Sequence, residues 1–113
     1  MSLNLTIFVG ASSSSSSPVR AIMNQQINDI ISHIPEISTM FRNPQLDLSS
    51  LRITAQSDFI LGAVWASSIN YFLVAFHNRY FRVPTDKEHE EANLVLFERG
   101  REIREAIDKI MGL

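Results

Sequence analysis

The sequence predicts a mainly α protein, a small bundle of three to four helices with a single short strand near its start. Three observations lead there. Apolar residues recur at spacings of three and four between residues 19 and 34, the eighteen residues from Phe59 to Phe76 carry no charge, and Thr85 to Glu88 form a helix-start signature ahead of a last amphipathic segment. The alternative is an α+β fold in which residues 3–9 and 51–55 pair as a two-stranded sheet.

With 113 residues, the chain is long enough to bury one core without metal or disulfide staples. Its 45% hydrophobic and 19% charged residues place it among folded globular chains. The organisation expected is an N-terminal strand or arm plus a serine-rich linker over 1–17, then one helical domain over 18–113. Cysteine is absent, which excludes disulfide scaffolds, thiolate zinc sites and cysteine nucleophiles, and fits a reducing cytoplasm. A net charge of -2 supplies no positive field for a phosphate backbone, so nothing in the charge balance points to nucleic acid.

Leu3, Leu5, Ile7 and Val9 alternate with Asn4, Thr6 and Phe8, a period of two that suggests a strand. No Lys or Arg precedes this run and it is short for a secretory signal core, so no cleaved signal is expected. Gly10 and the six serines Ser12 to Ser17 read as a connector. Ser17 followed by Pro18 is a good helix start, because the hydroxyl caps free amides and proline sits where its missing N–H costs nothing. The first helix should run to about Ile34, with Val19, Met23, Ile27, Ile30, Ile31 and Ile34 inward and Arg20, Asn24, Gln25, Asn28 and Asp29 outward; Pro35 marks its end.

Asn43 and Pro44 signal a turn, and Ile37, Met40 and Phe41 are expected to close over the core as a short helical turn. Residues 49–56 are ambiguous: Leu51, Ile53 and Ala55 alternate as a strand would, yet nothing prevents a helix. Ser57 and Asp58 are expected to cap a long central helix reaching about Arg82, whose apolar residues cover nearly the whole circumference and so call for protein on every side, from the chain itself or a second copy. Gly62 with Ala66, and Ala63 with Ser67, set small residues four apart, suiting close approach of another helix. Residues 59–76 also approach the length of a membrane span, but Ser67, Ser68 and Asn70 interrupt the centre and favour a core helix over membrane association. The last helix should run from Asp86 to the end of the sequence, with Leu96, Ile103 and Ile110 seven apart, Ala106 and Leu113 three residues after the latter two, and Gly100 weakening it. Arg101 with Glu105, Arg104 with Asp108, and Glu105 with Lys109 are its expected outer pairs.

Chemistry-bearing residues gather around Pro84: His77, Arg79, Arg82, Asp86, Glu88, His89 and Glu90. Asp86 and His89, three apart on a helix, suit a shared metal ion, with Glu90 or His77 as a further ligand; a solvated, capped helix start accounts for the same residues more simply. Arg82, six intervening residues and His89 resemble the Arg-x(4–6)-His pattern of the HEPN superfamily of small helical domains, which includes ribonucleases. The resemblance covers eight residues and departs from the pattern at Val83 and Pro84. It implies an RNA-cleaving pair, Arg82 and His89, with the histidine moving protons near neutral pH. His33 is expected to serve a helix end. No Gly-x-Ser-x-Gly elbow, phosphate loop or cofactor motif is present in the sequence.

Arg79, Tyr80, Phe81 and Arg82 combine the side chains that interface hot spots favour and are the expected partner surface. The function expected first is therefore a non-enzymatic, homodimeric interaction protein. A small helical ribonuclease or metal-dependent hydrolase using Arg82 and His89, and membrane association through residues 59–76, are the alternatives.

Overall fold

The computed structural model describes residues 17–43, 45 and 47–112. The strand expected over 3–9, the serine linker before Ser17 and the position of Leu113 lie outside them.

Five helices follow one another among the described residues: α1 (Pro18–Ser32), α2 (Ile34–Phe41), α3 (Gln56–Tyr80), α4 (Asp86–Glu98) and α5 (Gly100–Met111), with a 3-10 turn at Leu48–Leu51 and no strand. They build three rods, because α1 and α2 are two parts of one bent rod and α4 and α5 are two parts of another. The central rod, α3, runs antiparallel to both. Arg20 and Asn24 of α1 meet Glu98 and Arg99, at the α4–α5 break, while Phe41 of α2 meets Phe59 near the start of α3. The mainly α class thus holds, with more helices than the expected three to four because both outer rods bend.

Each bend has a local cause. Ser17 Oγ accepts from Arg20 N and Pro18 occupies the first turn of α1, as expected. Pro35 acts one residue earlier than the sequence suggests: the break falls at His33, and Pro35 then sits in the first turn of α2, where its missing donor is harmless. Residues 34–41 are consequently a two-turn helix instead of an irregular connection. Ile37 and Phe41 pack on the core, but Met40 is 64% exposed.

The other bend, at Arg99, divides the expected continuous last helix. The Arg99 guanidinium donates to Asn24 O and Asn24 Oδ1 across the bundle and to Glu102 within α5, holding the break against α1. Gly100 lies under Trp65, and a Cβ there would stand 3.3 Å from Trp65 Cζ3, so the glycine permits the close approach of α3.

Residues 51–55 do not form the strand of the α+β alternative. Leu51 ends the 3-10 turn and Arg52 takes a left-handed conformation, φ 62°, which turns the chain before an extended lead into α3. Ser57 and Asp58 do not cap α3 either. Gln56 Nε2 donates to Phe41 O at 2.7 Å and anchors the helix start earlier, at Ala55, leaving Asp58 in the first turn to accept from Arg104. The helix stops at Tyr80, with Phe81 left-handed at φ 56°.

The core is a set of helical stripes. Val19, Met23, Ile27 and Ile30 come from α1, Ile34 from α2, Ile60, Val64, Phe72 and Phe76 from α3, Ala92, Val95 and Leu96 from α4, and Ile103 and Ile107 from α5. Ser68 completes the α3 stripe and satisfies its hydroxyl on Val64 O at 2.8 Å. Ile110, seven residues after Ile103 on the expected stripe, is 37% exposed.

Spacings of four along Ile60, Val64, Ser68, Phe72 and Phe76 bury one side of α3. The opposite side carries Gly62, Ala66, Asn70 and Val74 into solvent. Full enclosure of the apolar helix by its own chain is therefore not what the fold provides. Little over a quarter, 28%, of its most apolar 18-residue window is buried. The space around Gly62 is open, so that glycine is not used for packing within the chain.

Candidate functional site

Two places stand out: the turn around Pro84, where the titratable residues gather, and the face where α3 and the α4–α5 rod leave apolar side chains uncovered.

At the turn, Pro84 is buried and the capping box forms as the sequence implies. Thr85 Oγ1 accepts from Glu88 N at 3.2 Å, and Glu88 Oε1 accepts from Thr85 N at 2.8 Å. Glu88 also takes both ends of the Arg82 guanidinium, at 2.8 and 3.0 Å. These contacts, the arginine first and the Thr85 amide next, hold the Glu88 carboxyl down from its usual 4.5 to about 2. Arg82 in turn lies over the Phe76 ring, 4.9 Å from its centroid, and 5.8 Å from that of Tyr80.

Arg82 is thus engaged by structural partners: a bidentate carboxylate and two aromatic rings secure the α3–α4 corner. The Arg82–His89 pair implied by the HEPN pattern is not joined by a hydrogen bond; Arg82 pairs with Glu88 instead, and His89 is half-buried one helical turn beyond Thr85. Asp86, His89 and Glu90 all stand in the first two turns of α4. Among the described residues no three His, Asp or Glu side chains gather as a metal-binding group, and His77 is exposed near the end of α3. His33 occupies the α1 end, where its Nδ1 lies 2.7 Å from Asp29 O and donates to it in the matching tautomer.

Of the four residues of the expected partner surface, Phe81 is 82% exposed and Arg79 is exposed, while Tyr80 packs on the core beside Phe76 and Arg82 is held as described. Val83 adds a second outward apolar side chain beside Phe81.

The larger apolar surface lies elsewhere. Leu61 and Trp65 on α3, with Leu94 and Phe97 on α4, line two adjoining depressions of about 590 and 710 Å³ that share Trp65 and Phe97. Phe97 is 74% and Leu94 57% exposed. Glu90 and Asn93 close one end of this face; Arg101 and Arg104 close the other. Arg104 is tied to Asp58 at 2.5 Å and to Asp108 at 3.7 Å, whereas Arg101 and Glu90 have no ion-pair partner among the described residues.

Leu94 and Phe97 belong to the run Leu94–Val95–Leu96–Phe97, in which Val95 and Leu96 are fully buried. Such a run serves both sides of a helix at once. The sequence signal for the outer side was the series Glu90, Leu94, Phe97, Arg101 at steps of four, three and four, the stripe of a helix that packs on another helix.

Compared with family models, with curated proteins and with solved structures, the chain matches none.

Proposed function

We propose that this helical bundle is a non-enzymatic interaction protein that works as a homodimer in a reducing, cytoplasmic compartment. The observation that carries the reading is the uncovered face of Leu61, Trp65, Leu94 and Phe97, which spans two helices and is bordered by charge at both ends. A large aromatic side chain standing three-quarters in water is costly when Phe72 and Phe76 of the same chain are fully buried, and protein partners are what such faces ordinarily serve. The corner at Phe81 and Val83 supports the same reading as a second, smaller contact.

The enzymatic alternative gains no support from the Pro84 turn, since its arginine is spent on Glu88 and its histidine lacks a converging partner among the described residues. Light scattering tests the proposal directly. The expected result is a dimer mass at micromolar concentration that Phe97→Asp converts to a monomer mass with unchanged helix content. A wild-type chain that is monomeric throughout, or that stays in solution only with detergent, overturns it; the second outcome would assign α3 to a lipid surface.

A further inference from the structure

The stripe on the open side of α4 and α5 runs Glu90, Leu94, Phe97, Arg101, with its acidic residue at one end, its basic residue at the other and its two large apolar residues between them. These positions point away from the buried series Ala92, Val95, Leu96 and Ile103 on the same rod. The bend at Arg99 leaves the phase of the rod unchanged, because Ile103 and Ile107 beyond it are buried like Val95 and Leu96 before it, and Arg101 is exposed like Phe97. We infer that this stripe is the seam of an antiparallel, two-fold pairing with a second copy of the chain, an assignment that rests on the homodimer reading above and specifies its register.

The occupant follows from charge and symmetry together. In a two-fold contact the same patch meets itself, so each residue must find its complement elsewhere on its own stripe. Reversed against itself, this stripe sets Glu90 opposite the partner's Arg101 and Leu94 opposite the partner's Phe97, and the symmetry axis repeats both pairings. A parallel pairing instead sets Glu90 against the partner's Glu90 and Arg101 against the partner's Arg101. The pattern of charges therefore selects the antiparallel arrangement, as flanking charges do in helical pairs.

Glu90 and Arg101 are exposed and have no ion-pair partner among the described residues, which leaves both able to pair across the seam. One turn further out, Lys87 approaches the partner's Arg104; Asp58 and Asp108 already balance the charge of Arg104 within each chain. Trp65 flanks the seam through the depressions that it shares with Leu94 and Phe97, and it is the single tryptophan of the sequence.

Reversing one charge at a time and then mixing the products tests both seam and register. Glu90→Lys and Arg101→Glu change exposed side chains, and circular dichroism checks that each variant keeps its helices. Each variant alone is expected to dimerise about tenfold more weakly than the wild type in sedimentation or light scattering, since two attractive pairs per dimer become repulsive. An equimolar mixture of the two is expected to recover wild-type dimerisation. In the mixed dimer the lysine introduced at position 90 of one copy faces the glutamate introduced at position 101 of the other, and the two unaltered residues, Arg101 and Glu90, face each other. A wild-type chain that never dimerises overturns the homodimer reading itself. A wild-type dimer indifferent to both substitutions overturns this seam while leaving a dimer formed elsewhere. Weakened variants that do not rescue one another overturn the antiparallel register.

Discussion

The two sides of α3 behave as different materials although the same helix supplies both. On the closed side Ile60, Val64, Ser68, Phe72 and Phe76 succeed one another and are all buried; on the flank toward α4, Leu61 and Trp65 are only half-buried and share open depressions with Leu94 and Phe97. One stripe of an apolar helix is enough to close a three-rod bundle of this size. The apolar surface on this flank is a surplus, and it borders two charged residues, Glu90 and Arg101, that find no ion-pair partner among the described residues. Where a side chain lies around the helix, more than how apolar it is, decides whether it stabilises the fold or is left for a partner.

Substitutions on the two sides should separate sharply. Phe72 is fully buried on the closed side, and Phe72→Ala is expected to cost about 3–5 kcal/mol in urea unfolding, through lost transfer and a residual cavity. Phe97 on the open side should do the reverse: Phe97→Asp abolishes the dimer mass while shifting the stability of the monomer by less than about 0.5 kcal/mol, as exposed substitutions ordinarily do. A large loss of monomer stability at Phe97 would erase the distinction between the two sides.

Smaller effects are expected at the corner where α3 meets α4. Phe81 is left-handed at φ 56° and 82% exposed, so Phe81→Gly relieves backbone strain with little burial lost and is expected to stabilise the monomer by about 1 kcal/mol in the same assay. The subtlest effect is on acid sensitivity. Glu88 is held at about 2 in the folded chain against its usual 4.5, so its contribution is present above pH 4.5 and is lost as pH falls toward 2. Thermal melts across that window should show a shallower loss of stability in Glu88→Gln than in the wild type; parallel curves would mean that the Arg82 and Thr85 contacts do not bias its ionisation.

Much of the fold was legible in the residues. Ser17–Pro18 announced α1, Thr85 with Glu88 announced α4, and the uncharged stretch after Phe59 announced the central helix, because each of these signals is local chemistry of capping or period. The two bends were less legible. Pro35 is equally at home after a helix or in the first turn of the next, and the break at Arg99 depends on Asn24 and Trp65, which lie far away in sequence. Residues 49–56 stayed ambiguous for a different reason: alternation at Leu51, Ile53 and Ala55 imitates a strand, while the left-handed Arg52 turns the chain.

The candidate site was the least legible part. Histidines and charges drew attention to the Pro84 turn, where the capping box accounts for Glu88 and, through it, for Arg82. Leu94 and Phe97 carry no such signal, since a run of four apolar residues does not reveal which two face inward until the neighbouring rods are in place.

Trp65 gives the most direct access to the central claim, that the Trp65–Phe97 face is covered by a second copy. Its emission should move to shorter wavelength as wild-type chain is raised from nanomolar to tens of micromolar, and should stay fixed at the long-wavelength value in Phe97→Asp over the same series. An emission maximum in the wild type that does not change with concentration, while light scattering over the same range reports a single monomer mass, would contradict it.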